Sequence, residues 1–203
     1  MSPATTAGQP KSLRQRVGQS RLGTLLVLAV TAALVMGGAF LIARPATAKA
    51  GVSAVSVGAG DGPAPTIGKP AQDFTATTVD GKKVSLSSYK GQAVWVTFGA
   101  SWCGACQAEA PDVEATYEKY KAQGVVVLAV SIQEDSATVL DYGKRLGLTY
   151  PQIADTNDTI AAAYRVNGIP AHFFIDKSGI LRSMKTGALS PDQMDATLKE
   201  IIQ

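Results

Sequence analysis

The sequence predicts an α/β fold, a central mixed sheet flanked by helices, on three observations. Bulky apolar runs at 94–98 and 125–131 have the length of strands and too little polarity for a surface. Stretches with helically spaced apolar residues follow each of them. Two pairs of strand-like runs, 74–78 with 83–86 and 171–175 with 180–186, are each joined by a turn signal and so pair as hairpins. Strands separated by helices favour parallel neighbours and hairpins are antiparallel, so the sheet is mixed, with helices on both of its faces.

Each element has its own local reason. Asp80-Gly81 turns the first hairpin, and Lys177-Ser178-Gly179 turns the last. The run 94–98 is a central strand. The helix after it spans about 103–123, with Val113, Tyr117 and Tyr120 on one apolar face. The nearly unbroken apolar run 125–131 suits a strand buried on both faces. Asp135 caps the next helix, in which Val139, Tyr142 and Leu146 share a side. The stretch 150–154 is an edge strand, because Pro151 has no N–H for a ladder bond. A short helix at 158–164 carries Ile160 and Tyr164 on one stripe. Ser190, Pro191 and Gln193 form a capping box with proline at the first helical position, and Met194, Leu198 and Ile201 then face the core.

Charge divides the chain. Lysine and arginine total 19 and aspartate and glutamate 16, for a formal net charge of +3. The first 50 residues hold six of the bases and no acid, so the remainder is mildly acidic. Such a domain has no basic footprint, and no nucleic-acid partner is expected. Residues 22–43 carry no charge; as a helix they reach roughly 33 Å, enough for a hydrocarbon core of about 30 Å. Lys11, Arg14, Arg16 and Arg21 precede this stretch, whereas Arg44 and Lys49 follow it. That bias predicts a cytoplasmic tail at 1–21, a single-pass signal-anchor at 22–43 in the cell membrane, and an extracytoplasmic domain. The alternative is a cleaved signal peptide, cut near Ala48 or Ala50, with the domain secreted. Residues 44–66, dense in Ala, Gly, Ser and Pro, read as a flexible linker, and 67–203 as one domain of ordinary size. Either reading puts the domain in an oxidising compartment.

The chemistry centres on the only two cysteines. Ser101-Trp102-Cys103-Gly104-Ala105-Cys106 follows an apolar strand and opens a helix. Two sulfurs three residues apart on a first helical turn can meet in a disulfide. Unpaired amides and the helix dipole favour a thiolate at the first position. Cys103 is therefore expected to be the more acidic and more exposed sulfur, the nucleophile, with Cys106 the shielded, resolving thiol. A loop of two intervening residues closes little chain entropy, so an inert structural disulfide is a weaker reading. A metal site would need ligands beyond the single histidine, His172, and neither metal nor cofactor is expected.

Trp102-Cys103-Gly104-Ala105-Cys106-Gln107-Ala108-Glu109-Ala110-Pro111 matches the pattern WCxxCxxExP. About 65 residues later come Gly168-Ile169-Pro170 and then Phe173-Phe174-Ile175-Asp176. In these two motifs, with an apolar leader before them, the chain resembles the membrane-anchored TlpA/ResA/DsbE-like thioredoxin-family thiol-disulfide oxidoreductases, which overlap the AhpC/TSA-like redox group. The resemblance implies a thioredoxin-like fold with an extra N-terminal β-hairpin and an insert, 133–154, after the second core strand. It implies that Pro170 is a cis-proline forming a substrate groove beside the cysteines, and that Glu109 tunes the pair and assists proton transfer. Trp102 and Ile169 would then line the binding surface. Thr97 stands where thioredoxin carries a buried aspartate. Pro111 lacks an amide and is read as a structural bend. His172 reads as a structural or exposed strand residue, with a groove-facing place as the alternative.

By similarity the expected activity is reduction of protein disulfides, such as those of apocytochrome c before haem attachment, during cytochrome c maturation. An integral membrane electron donor would recharge the dithiol. A disulfide-introducing oxidase for secreted proteins uses the same atoms in reverse, and a redox-inert binding module is a further alternative.

Overall fold

The computed structural model describes residues 21–42, 56–57 and 63–203. The chain divides into two units, 1–48 and 49–203. Of the first unit the structure describes helix α1, Arg21–Ile42, which falls within a residue of the uncharged stretch at both ends. The side chains described on it, 23–37, include exposed Leu25, Leu26, Leu28 and Leu34. Among the described residues no helix is long and apolar enough to cross a membrane. The expected tail 1–21, Arg21 apart, lies outside the described residues, as do both candidate cleavage sites and most of the linker 44–66.

The second unit opens with β1, Ser56–Val57, which pairs antiparallel with β2, Phe74–Thr77. Two residues of the expected linker are thus ladder-bonded, which their Ala/Gly/Ser-rich surroundings concealed. β3, Lys83–Ser85, returns along β2, and Gly81 turns the chain with φ 88°. The main sheet contains β4 (Ala93–Gly99), β5 (Val125–Ile132), β6 (Gln152–Asp155), β7 (Ala171–Ile175) and β8 (Leu181–Thr186). Its order is β6-β5-β4-β7-β8. β4, β5 and β6 are parallel, and β7 and β8 are antiparallel to their neighbours. The helices of this unit are α2 (Gly104–Tyr120), α3 (Ser136–Leu146), α4 (Thr159–Ala163) and α5 (Pro191–Ile201). This is the mixed, helix-flanked sheet with an added hairpin that the sequence predicts.

Period-two alternation divides the core into two layers. On one face Val94, Val96 and Phe98 of β4 meet Leu128 and Val130 of β5, Phe173 of β7, Ile160 of α4 and Phe74 of the hairpin. On the other, Ala93 and Trp95 of β4 meet Val127 and Phe174, covered by Val113 of α2 and Met194, Leu198 and Ile201 of α5. β5 is apolar but for Ser131 because both of its faces are covered. Asp135 caps α3 by accepting from the Thr138 N–H at 2.8 Å, and Ser190 and Gln193 close the capping box on α5.

Two expectations are corrected. Leu146 does not share the buried side of Val139 and Tyr142; it is exposed, because α3 ends there and Gly147 turns the chain in the left-handed region, φ 66°. The strand expected at 150–154 does lie at the sheet edge, but it runs Gln152–Asp155, and Pro151 before it joins the pairing only through its carbonyl, which accepts from the Ala129 N–H at 2.9 Å.

Phe98 is wholly buried, its ring 5.4 Å from that of Tyr164 and 5.5 Å from that of Phe173. Phe98→Ala is expected to lower unfolding free energy by about 3–5 kcal/mol in urea melts. Leu146→Ala should stay within about 0.5 kcal/mol of wild type in the same assay.

Candidate active site

β4 ends at Gly99, and Ala100, Ser101 and Trp102 carry the chain to Cys103, the N-cap of α2. Cys103 is extended there, φ −87° and ψ 110°, as an N-cap residue should be. Its sulfur takes the place of the usual cap oxygen: Sγ accepts from the Cys106 N–H at 3.1 Å. Cys103 and Cys106 are joined in a disulfide, with Cα atoms 5.2 Å apart.

Across from them the Ile169–Pro170 peptide is cis. The Ile169 carbonyl oxygen lies 4.0 Å from Cys103 Sγ. Ala100, Ile132 and Ile169 pack around both cysteines. That packing corrects one expectation: in the disulfide both cysteines are buried, Cys103 at 9% and Cys106 at 8%, rather than one open and one shielded. Trp102 is 57% exposed and stands beside them as an apolar surface rather than in the core.

Glu109 lies one helical turn beyond Cys106 and is 5% exposed. Its Oε1 accepts from the Leu189 N–H at 2.7 Å. Burial pushes its carboxyl up to about 7, helped by the charge of Asp112 and opposed by the Leu189 N–H. Glu109 and Cys106 line one cavity of about 50 Å³, together with Thr97, Ser131, Tyr142 and Pro170. That volume has room for a water, and its lining is polar enough to bind one.

His172 is neither exposed nor open to the groove. It is fully buried on β7, opposite Thr97 of β4. Its Nδ1 is 3.3 Å from the Trp95 indole nitrogen and 3.1 Å from Thr97 Oγ1, and its Nε2 is 3.3 Å from Glu109 Oε1. Burial holds the ring pKa down at about 4, against the Gly187 carbonyl beside it. Thr97 therefore touches the histidine that lies beside Glu109.

Two further residues hold the site, and no spacing in the sequence pointed to them. Glu134, buried after β5, accepts from the Ser101 N–H at 2.9 Å and from the Ser101 hydroxyl. Gln107 Nε2 donates to the Ser101 carbonyl at 2.5 Å. Together they fix the loop before the cysteines from both sides. Among the described residues no group of three or more His, Cys, Asp and Glu side chains is placed to hold a metal ion.

Residues 67–184 match the AhpC/TSA family. The thiol-disulfide oxidoreductase ResA of Geobacillus kaustophilus is 36% identical over 135 residues, which are 66% of this chain and 78% of that protein. The crystal structure of a thiol:disulfide interchange protein of the thioredoxin family from Chlorobium tepidum TLS superposes with a TM-score of 0.63 at 32% identity, over 69% of this chain and 100% of the other. A crystal structure described as a putative thiol:disulfide interchange protein DsbE, also from Chlorobium tepidum, gives 0.64 at 26% identity, over the same shares. With a disulfide capping the helix after the central strand and relatives of this kind, the chain belongs to the AhpC/TSA family as a ResA/DsbE-like thiol-disulfide oxidoreductase of the thioredoxin family.

Proposed function

We propose that this oxidoreductase works outside the cytoplasm as a reductant of protein disulfides, with apocytochrome c as substrate and an integral membrane protein as electron donor. Residues 22–43 anchor it. The observation that carries the chemistry is the Cys103 sulfur at the cap of α2, held by the Cys106 amide and facing the cis Ile169–Pro170 bond. The anchor and orientation are supported by the uncharged run and the bias of flanking bases. A tether of this kind raises the effective concentration of the domain near a membrane-bound donor.

In the first step Cys103 thiolate attacks a substrate disulfide. A bond forms from Cys103 Sγ to one substrate sulfur, and the other substrate sulfur leaves as a thiolate. In the second, Cys106 gives up its proton and attacks Cys103 Sγ, closing the disulfide seen here. The substrate leaves as its second thiolate and is protonated. Two electrons pass from the dithiol to the substrate. The helix-end amide that the Cys103 sulfur already accepts is the group that favours its thiolate. Glu109, sharing a cavity with Cys106, takes the Cys106 proton and returns it to the leaving thiolate. Trp102 and Ile169 form the surface on which the substrate chain lies.

Replacing Cys106 by Ala should leave Cys103 in mixed disulfides that it cannot resolve. Mass spectrometry of the captured partners should find apocytochromes; a broad set of secreted proteins would mean that the enzyme runs as an oxidase. Cys103→Ser should abolish exchange by roughly three orders of magnitude or more. The full chain should remain in the membrane pellet after alkaline extraction, with the domain open to protease from outside; a soluble full-length chain would refute the anchor.

Glu109 also sets a pH dependence of stability. Its folded pKa of about 7 is above its ordinary 4.5. The stability it contributes is therefore complete below 4.5 and lost as pH rises through 7. Between pH 5 and pH 8 the wild type should lose roughly 2–3 kcal/mol relative to Glu109→Gln, read from urea melts of the oxidised proteins.

A further inference from the structure

We propose that His172 is a positioning residue for disulfide exchange: Trp95 and Thr97 occupy its Nδ1, its one protonated ring nitrogen, Nε2, lies beside the Glu109 carboxyl, and that neighbour tunes Glu109 to take the proton that Cys106 gives up. This rests on the reading of Glu109 as the acceptor of the Cys106 proton.

The tautomer follows from the partners. An indole N–H can only donate, so Nδ1, 3.3 Å from the Trp95 nitrogen, presents a lone pair. The Thr97 hydroxyl, 3.1 Å away, meets the same nitrogen. A neutral ring then carries its hydrogen on Nε2. Nε2 is 3.3 Å from Glu109 Oε1, off the line of a hydrogen bond, and makes no hydrogen bond of ordinary geometry elsewhere. The Gly187 carbonyl is a second acceptor near the ring. His172 is fully buried and Glu109 nearly so, so their interaction is little screened by solvent.

Other groups face the pair from every side. Asp112 and Cys106 lie on α2, and Tyr142 on α3. Tyr150 precedes β6 and is held protonated by burial. Partly buried Lys185 lies opposite His172 on β8. β4 contributes Trp95 and Thr97. The positive end of an N–H dipole 3.3 Å from Glu109 favours its carboxylate against the cost of burial, so the group stays able to accept a proton near neutral pH. When Cys106 attacks the mixed disulfide, its proton passes to Glu109, the Cys103–Cys106 bond forms and the bond to substrate breaks. The departing substrate thiolate carries off the electron pair and takes that proton.

The test is the pH profile of exchange, followed from pH 5 to 9 with a disulfide-linked fluorescent peptide and the full chain. In His172→Leu the midpoint of the rising limb should move up by about one unit, because the buried N–H dipole beside the Glu109 charge is lost. His172→Gln, whose amide can accept from Trp95 and donate to Glu109, should restore the wild-type midpoint. An unmoved midpoint in His172→Leu, or no rescue by His172→Gln, overturns the proposal. Glu109→Gln separates the two readings: if it leaves the rising limb intact, the role of Glu109 itself fails. A second readout needs no variant, since His172 is the only histidine of the chain. Nitrogen NMR of the labelled wild type should show the Nε2–H tautomer from pH 5 to 8, with shifts that follow a titration near 7. An Nδ1–H tautomer, or a ring that protonates alone near 6.5, overturns the proposal.

Discussion

Helix α2 has the usual deficit of an α-helix start, amides without partners, and the first of its cap groups is a sulfur. Cys103 Sγ accepts the Cys106 N–H that a serine or aspartate oxygen would take elsewhere. One contact thereby begins the helix, places the two sulfurs on the same turn and surrounds the outer one with positive potential. Everything else in the domain holds this contact in place. β4 delivers the chain to it from the middle of the sheet, where a strand paired on both sides has little freedom to shift. Glu134 and Gln107 clamp Ser101 just before it.

The register of the sheet brings the second half of the site to the first. β7 runs antiparallel to β4, with Ala171 against Phe98 and His172 against Thr97. Pro170, the residue before that ladder, must therefore lie at the end of β4 where the cysteines emerge. One backbone bond holds it, from the Gly187 N–H to the Pro170 carbonyl at 2.8 Å, and two residues on the Leu189 N–H donates to the Glu109 side chain at 2.7 Å. The segment after β8 thus ties the proline and the glutamate to one backbone. The apolar layers on the two faces keep this register, since a slip of one residue would exchange the contents of the two cores.

Burial then decides the electrostatics. Glu109 and His172 are both removed from water, and removal disfavours the charge of each. The acid is pushed up to about 7 and the base down to about 4, so at neutral pH the histidine is neutral and the glutamate is near its midpoint. An exposed glutamate could not sit there. A pair poised in this way can take up and release a proton without either side chain moving far, which suits a reaction in which sulfur alternates between thiol, thiolate and disulfide.

Much of this was legible in the residues. The alternation of apolar positions set the strands and the two-sided core, turn and cap residues bounded most elements within a few positions, and CxxC at a strand–helix junction identified the chemistry. These are local signals, carried by neighbours in sequence and by the fixed periods of strand and helix. Leu146 misled because an apolar stripe does not show where a helix stops packing, and the pairing of Ser56–Val57 left no local mark. The near-equal burial of the two cysteines, the clamp from Glu134 and the placement of His172 against Glu109 were decided only by the tertiary structure. Each joins residues distant in the chain across a sheet, and a sheet's register depends on the packing of the whole core rather than on any window of sequence.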